Sequence, residues 1–171
     1  MVSIETQRLL LRNYKATDFD DIFVYFSSEE VSRYEDFDPM SPEQVLALIE
    51  EWKTMDNRLV AELKSDRTVI GSIGYWIDGE GHHCIDYDFN PAFGGNGYAT
   101  EAGRALVEYL FHTSEVPVVY ADCDVKNTAS WKLLERLGFQ RMRQLDQQSY
   151  KDDQNGNPIM ISTYLYGLER V

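Results

Sequence analysis

The apolar residues of this chain recur at two spacings, and the switch between them lays out its elements. Arg8 to Tyr14 reads as a first strand. Thr17 is placed to cap a helix whose apolar stripe is Phe19, Ile22, Phe23 and Phe26, at i, i+3, i+4 and i+7. A second helix is marked more fully, because Ser41-Pro42-Glu43-Gln44 combines an N-cap serine, a proline at the first helical position and a glutamine able to close a capping box. Val45, Leu48, Ile49 and Trp52 form its apolar face. Three strand-like runs follow, Leu59 to Lys64, Val69 to Ile77 and His83 to Phe89, separated by hairpin-length loops at 65–67 and 78–81. In the third run Ile85, Tyr87 and Phe89 alternate with Cys84, Asp86 and Asp88, the pattern of a strand with two distinct faces.

Pro91 stops that strand, Gly94, Gly95 and Gly97 open a turn, and from Ala99 onward Ala102, Leu106, Tyr109 and Leu110 return at helical spacing. A strand from Val118 to Asp124 comes next, then a short helix from Asn127 closed by Gly138. Phe139 to Leu145 and Ile159 to Leu168 read as a closing hairpin. Antiparallel strands followed by a strand–helix–strand crossover predict an α/β fold of the α+β kind, a mixed sheet with helices on both faces. No linker, repeat or low-complexity tract interrupts 171 residues, so one domain is expected.

The glycine turn is where chemistry enters. The first N–H groups of a helix lack partners and lie at the positive end of its dipole, so a glycine turn before a helix seats phosphate oxygens. A plain tight turn has the same spelling. Neither common nucleotide motif fits, since no lysine occurs between Asp66 and Asn96 and Gly95 and Gly97 are followed by Thr100 rather than a third glycine.

That turn, with the helix Asn127 to Phe139, resembles the GNAT superfamily of acyl-CoA-dependent N-acyltransferases. Gly94 to Ala99 lies over the family's Q/R-x-x-G-x-G/A pyrophosphate loop, and Asn127 to Phe139 over its asparagine-led helix ending in leucine-glycine-phenylalanine. Gly-Tyr-Ala-Thr-Glu-Ala at 97–102 and Arg-Leu-Leu-Leu-Arg at 8–12 are most similar to the branch of the ribosomal-protein N-terminal alanine acetyltransferases. The resemblance implies a sheet whose two central strands splay to admit the pantetheine arm, acetyl-CoA as co-substrate, no metal, and a homodimer as a common assembly. It implies cofactor contacts at Phe89, Gly94, Gly95, Asn96, Gly97, Tyr98, Ala99, Thr100, Asn127 and Lys132, and an acceptor pocket at Tyr34, Glu35 and Phe37. Two departures stand out. Gly94 replaces the family's Gln/Arg, leaving the pyrophosphate to backbone amides, and Leu134 replaces a frequent proton-donating tyrosine. Ser130 is the nearest substitute and in the resembling branch is read as the general acid; otherwise it satisfies backbone groups in the first helical turn.

For a base, His83 titrates in the useful range, while Asp86 and Asp88 share a face and either could carry a raised pKa. Glu101, in the first helical turn, reads as a dipole partner. A net charge of −13 and a pI near 4.5 argue against nucleic acid and favour a cationic small-molecule or peptide amine, or serve solubility alone. Cys84 and Cys123 read as reduced core thiols, no membrane-spanning run or export signal is present, and a cytoplasmic location is expected. The reading is an N-acetyltransferase using direct transfer in a ternary complex. A CoA-binding sensor that has lost its chemistry is the alternative.

Overall fold

In the computed structural model, which describes residues 1–170, the chain opens with β1 (Ser3–Glu5) and β2 (Leu9–Arg12), followed by α1 (Phe19–Phe26), α2 (Glu29–Ser32) and α3 (Pro42–Trp52). The meander β3 (Arg58–Leu63), β4 (Val69–Ile77) and β5 (His83–Phe89) comes next. Then follow α4 (Tyr98–Thr113), β6 (Val118–Asp124), α5 (Thr128–Leu137), β7 (Gln140–Gln148) and β8 (Ile161–Glu169). Eight strands form one sheet in the order β1-β2-β3-β4-β5-β6-β8-β7. Every neighbouring pair is antiparallel except β5 and β6. β8 inserts between β6 and β7, so those two run in the same direction, as the crossover through α5 requires.

The mixed sheet agrees with expectation, and the differences lie at element ends. The first strand stops at Arg12, because Asn13 turns away to take the Met55 carbonyl at 2.7 Å and accept from Val2 N–H at 2.8 Å, which holds β1 on the sheet edge. Thr17 caps nothing. It lies inside a 3₁₀ turn, Ala16–Asp18, and the Asp18 carboxylate does the capping by accepting from Lys15 N–H at 2.8 Å. α2, one turn capped by Ser28, is too short for periodicity to reveal. The Ser41–Gln44 capping box forms in both directions, at 3.3 and 2.8 Å.

The sheet buries a core on each face. Leu9, Leu11, Leu59, Ile73, Ile85 and Val119 meet Leu106 and Leu110 of α4 and Leu134 of α5. On the other face Tyr14, Val60 and Val69 meet Ile22, Tyr25 and Phe26 of α1 and Val45 and Ile49 of α3. Each such side chain contributes about 1.5–3 kcal/mol when fully buried. One ionic network lies among them. Arg12 reaches Asp18 at 2.8 Å and Glu62 at 2.6 Å, and all three are under a tenth exposed.

Candidate active site

β5 and β6 pair over only two rungs, His83 with Val119 and Cys84 with Tyr120. Beyond them the strands diverge, while β5 stays paired to β4 as far as Phe89 with Gly71. The result is a wedge in the middle of the sheet. Alternation along β5 sends Ile85 and Tyr87 to the α4/α5 face and Asp86 and Asp88 to the α1/α3 face, so the wedge joins two differently equipped sides.

On the α4/α5 side a cleft of about 970 Å³ runs from the glycine turn to α5. Gly97 stands at φ +77°, in the left-handed region that glycine enters without cost, and it precedes α4 directly. The first hydrogen bond closing the helix runs from Glu101 N–H to the Gly97 carbonyl, so the amides of Tyr98, Ala99 and Thr100 precede it and face outward. Arg8 staples the turn: its guanidinium donates to Glu101 at 2.7 Å and to the Asn96 carbonyl at 2.9 Å and lies over the Tyr98 ring. Burial pushes the Glu101 carboxyl up, but donation from Thr6 and Arg8 outweighs it and holds the group below its usual range, so Glu101 is a clamp and no base. Arg104, Lys132 and Arg136 line the same cleft and, among the described residues, make no ion pair. A cradle of amides with free cations beside it fits the phosphates of CoA.

At the mouth of the wedge the Tyr87 hydroxyl stands 2.8 Å from Ser130 Oγ and 3.2 Å from the Ser130 carbonyl. Burial holds the Tyr87 phenol well above its usual pKa, so it keeps its proton at neutral pH. Burial also raises the neighbouring Cys123 thiol to about 12. Asn127 caps α5, its Oδ1 accepting from Ser130 N–H at 3.2 Å, which fixes the turn that presents the serine.

The α1/α3 side is acidic. Asp86 pairs with Arg58 at 2.5 Å, and the absence of a side chain at Gly74 makes room, since a Cβ there would lie 3.1 Å from both partners and 2.7 Å from the Asn57 carbonyl. Burial drives the Asp88 carboxyl well above its usual range, with Glu35, Asp86 and Asp36 adding repulsion and Arg58 opposing. Burial and then Asp36, Asp86 and Asp122 raise Glu35 to about 7. The β7–β8 connection covers this basin, with Tyr150 donating to Asp122 and Lys151 bonding the carbonyls of Ser32 and Phe37 at 3.1 and 3.2 Å and Asp38 at 3.2 Å.

Of the residues singled out from sequence, Phe89, Gly94, Gly95, Gly97, Tyr98, Ala99, Thr100 and Lys132 line the cleft. Asn96 sits behind it, its amide bonded to the Phe93 and Gly94 carbonyls. Glu35 reaches the acidic basin; Phe37 instead packs on Phe26 and lines a separate groove with Leu48 and Trp52. Tyr34, half-buried, belongs to the loop that carries Glu35. His83 lies three residues from Asp86 and therefore on the opposite face, stacked on Tyr75 at the paired end of the strand. Tyr87, Asp122, Tyr150 and Lys151 were not singled out. A hydroxyl on an otherwise apolar strand face was the available signal for Tyr87.

Fold and wedge together are those of an N-acyltransferase. A family model described as an acetyltransferase (GNAT) domain matches residues 8–140, and the chain belongs to that family. It is 32% identical over 169 residues to the uncharacterized N-acetyltransferase YoaA of Bacillus subtilis, covering 94% of each chain. Its fold is similar to that of a GNAT-family acetyltransferase from Bacillus anthracis, with a TM-score of 0.88 at 24% identity over 98% of each chain. It is also similar to a ribosomal-protein-S5-alanine acetyltransferase from Vibrio fischeri, with a TM-score of 0.76 at 21% identity over 99% of this chain and 97% of that one. Among the described residues no helix is long and apolar enough to cross a membrane.

Proposed function

We propose that this enzyme transfers an acetyl group from acetyl-CoA to a positively charged primary amine, a small molecule or a peptide N-terminus, by direct attack in a ternary complex. The observation that carries this is the wedge itself, with a cationic, amide-lined cleft on one face and a carboxylate basin on the other. When bound, acetyl-CoA supplies a thioester whose carbonyl carbon takes the amine nitrogen and whose sulfur leaves as the thiol.

The amides of Tyr98 to Thr100 hold pyrophosphate oxygens, and Arg104, Lys132 and Arg136 answer the remaining charge. A cationic amine is drawn to the basin, and Asp88 takes its proton to free the nucleophilic lone pair. Asp88 suits this better than Asp86, which Arg58 occupies. Its burial gives it the proton affinity that a base working on an ammonium needs. At the far side the Tyr87 and Ser130 hydroxyls share a hydrogen bond, and with Tyr87 as its donor the serine O–H is left to protonate the departing sulfur. The nitrogen gives up two protons, one to Asp88 before attack and a second once the C–N bond has formed; the second restores, through solvent, the Ser130 hydroxyl that protonated the sulfur, the C–S bond is broken, and the one net proton leaves from Asp88.

Thiol release from acetyl-CoA with a panel of peptides, polyamines and aminoglycosides, alongside calorimetric titration with CoA, tests the reading. The expected result is CoA binding with thiol release on adding a cationic amine. CoA binding with no amine acetylated would make the chain a binding module, and absence of CoA binding would remove the cleft assignment.

A further inference from the structure

The turn from Gly94 to Gly97 offers a ligand no side chain of its own. Gly94, Gly95 and Gly97 carry none, and the Asn96 amide is turned back onto the Phe93 and Gly94 carbonyls, at 3.1 Å to each. A side chain reaches the turn from elsewhere, from the β1–β2 connection. Arg8 donates through Nε to Glu101 at 2.7 Å and through Nη1 to the Asn96 carbonyl at 2.9 Å, and its guanidinium lies 4.5 Å over the Tyr98 ring. A guanidinium carries five N–H groups, so three remain, one on Nη1 and both on Nη2, and none has an acceptor among the described residues. Nη2 stands 3.6 Å from the point that a Cβ on Gly97 would occupy. The Arg8 side chain is 42% exposed and lines the cleft together with Gly97, Tyr98, Ala99 and Thr100.

We propose that Arg8 binds the pyrophosphate of CoA directly, its spare N–H groups adding a charged side-chain donor to the backbone amides at the head of α4. This rests on the reading of the cleft as the CoA site. A guanidinium presents N–H groups in a fork that matches phosphate oxygens, and hydrogen bonds between ionised partners are about twice as strong as neutral ones. Arg104, Lys132 and Arg136 reach the cleft on side chains without an ion pair, whereas Arg8 is held in advance at two atoms and by its stacking on Tyr98. Less freedom is therefore lost when a phosphate takes its remaining donors. Glu101 secures that position: one carboxylate oxygen accepts from Thr6 Oγ1 at 2.6 Å and from the Arg8 backbone N–H at 2.8 Å, the other from Arg8 Nε.

An exposed ion pair contributes little to stability, so variants at Arg8 and Glu101 are expected to fold, and a thermal melt checks that they do. Calorimetric titration with CoA is the assay. Arg8→Gln is expected to weaken binding about tenfold, the worth of a charge-assisted hydrogen bond at an exposed site. Glu101→Gln loosens the staple from its other end but leaves the guanidinium in the cleft, and is expected to lose no more than about threefold. The double variant Arg8→Gln/Glu101→Gln leaves the net charge unchanged and is expected to stay about tenfold weaker than the wild type. With 3′-dephospho-CoA, which keeps the pyrophosphate, Arg8→Gln is expected to show the same deficit. Unchanged affinity in Arg8→Gln overturns the proposal. An equal loss in Glu101→Gln also overturns it, since Arg8 would then act only by holding the turn, and so does recovery in the double variant, since an uncovered Glu101 would then be what repels the ligand. A deficit that disappears with 3′-dephospho-CoA moves the contact to another phosphate and overturns it as well. A wild type that binds no CoA removes the cleft assignment and this proposal with it, whereas CoA binding indifferent to Arg8 overturns the proposal alone.

Discussion

Replacing Gly97 by valine forces a β-branched residue to φ +77°. An L-residue held in that region costs about 1–2 kcal/mol, and a β-branched one is worse accommodated than alanine. The turn sheds this strain by leaving the left-handed region, which rotates the amides of Tyr98, Ala99 and Thr100 away from the position they hold at the head of α4. Steric conflict with the protein is not the cause, because the nearest side-chain atom to an added Cβ is Arg8 Nη2 at 3.6 Å, an ordinary contact. Since about 1.4 kcal/mol is tenfold in affinity, the CoA dissociation constant is expected to rise more than tenfold while the melting temperature changes little. Gly97→Asn separates the two ways in which glycine can matter, because asparagine tolerates the left-handed region but carries a side chain. Near-wild-type affinity in Gly97→Asn assigns the loss to backbone conformation, and a loss matching that of valine assigns it to close approach of the ligand. Calorimetry on both variants is the assay. Unchanged CoA affinity in a folded Gly97→Val protein refutes the cradle.

Ser130→Ala is expected to lower turnover by about 10²–10⁴ with little change in acetyl-CoA affinity, while Thr128→Ala costs a few-fold at most. Because Tyr87 and Ser130 act as a unit, adding Tyr87→Phe to Ser130→Ala should cost little more, and additive losses in steady-state kinetics would separate them. Arg12→Ala leaves Asp18 buried without its cation and Glu62 with only the exposed Arg67, 2.8 Å away, and is expected to cost about 3–5 kcal/mol. That corresponds to roughly 10 °C in melting temperature for a chain of this length, and a drop of less than 2 °C by calorimetry defeats it. Glu35 is raised by burial and nearby carboxylates from 4.5 to about 7, so the folded state binds more protons than the unfolded one between those values, and stability falls as pH rises through that window. Glu35→Gln should therefore gain melting temperature over the wild type at pH 8 and lose that advantage at pH 5; equal gains at both pH values argue against the shift.

Much of this was legible because burial on one face imposes a period. The alternation in 83–89 identifies β5, and the same parity puts His83 and Asp86 on opposite faces. The glycine turn and the unpartnered amides after it followed from local spelling, since a positive φ and the open end of a helix are properties of a few consecutive residues. What stayed hidden joins distant positions. Arg12 finds Glu62 fifty residues on, and Tyr87 finds Ser130 across forty-three. No local period encodes such pairs, so Arg-Leu-Leu-Leu-Arg was informative only as a resemblance. In the fold Arg8 clamps the glycine turn and Arg12 holds the buried carboxylates, two separate duties for one short motif.

Under the proposed function, a chain with a net charge of −13 holds an anionic co-substrate beside a cationic acceptor, and the splay of β5 from β6 would make the two compatible. If β5 stayed paired to β6 to its end, the sheet would close the gap between the cleft and the basin, and no atom could pass between them. If the gap opened without strand alternation, carboxylates and phosphates would share one face and repel. Alternation along a single strand keeps Asp86 and Asp88 behind the sheet from the phosphate cradle, while Tyr87, between them in sequence, turns forward to Ser130. On the proposed function, the acidic residues that would disfavour CoA in a uniform surface field are thereby set where they would act on the amine. The cleft cations would act on the phosphates from the other side, and solvent screening over about 8 Å weakens any interaction between the two faces. On that proposal the chemistry depends on the two-rung parallel pair, and the stretch of β5 beyond Cys84 is what separates the cradle from the basin.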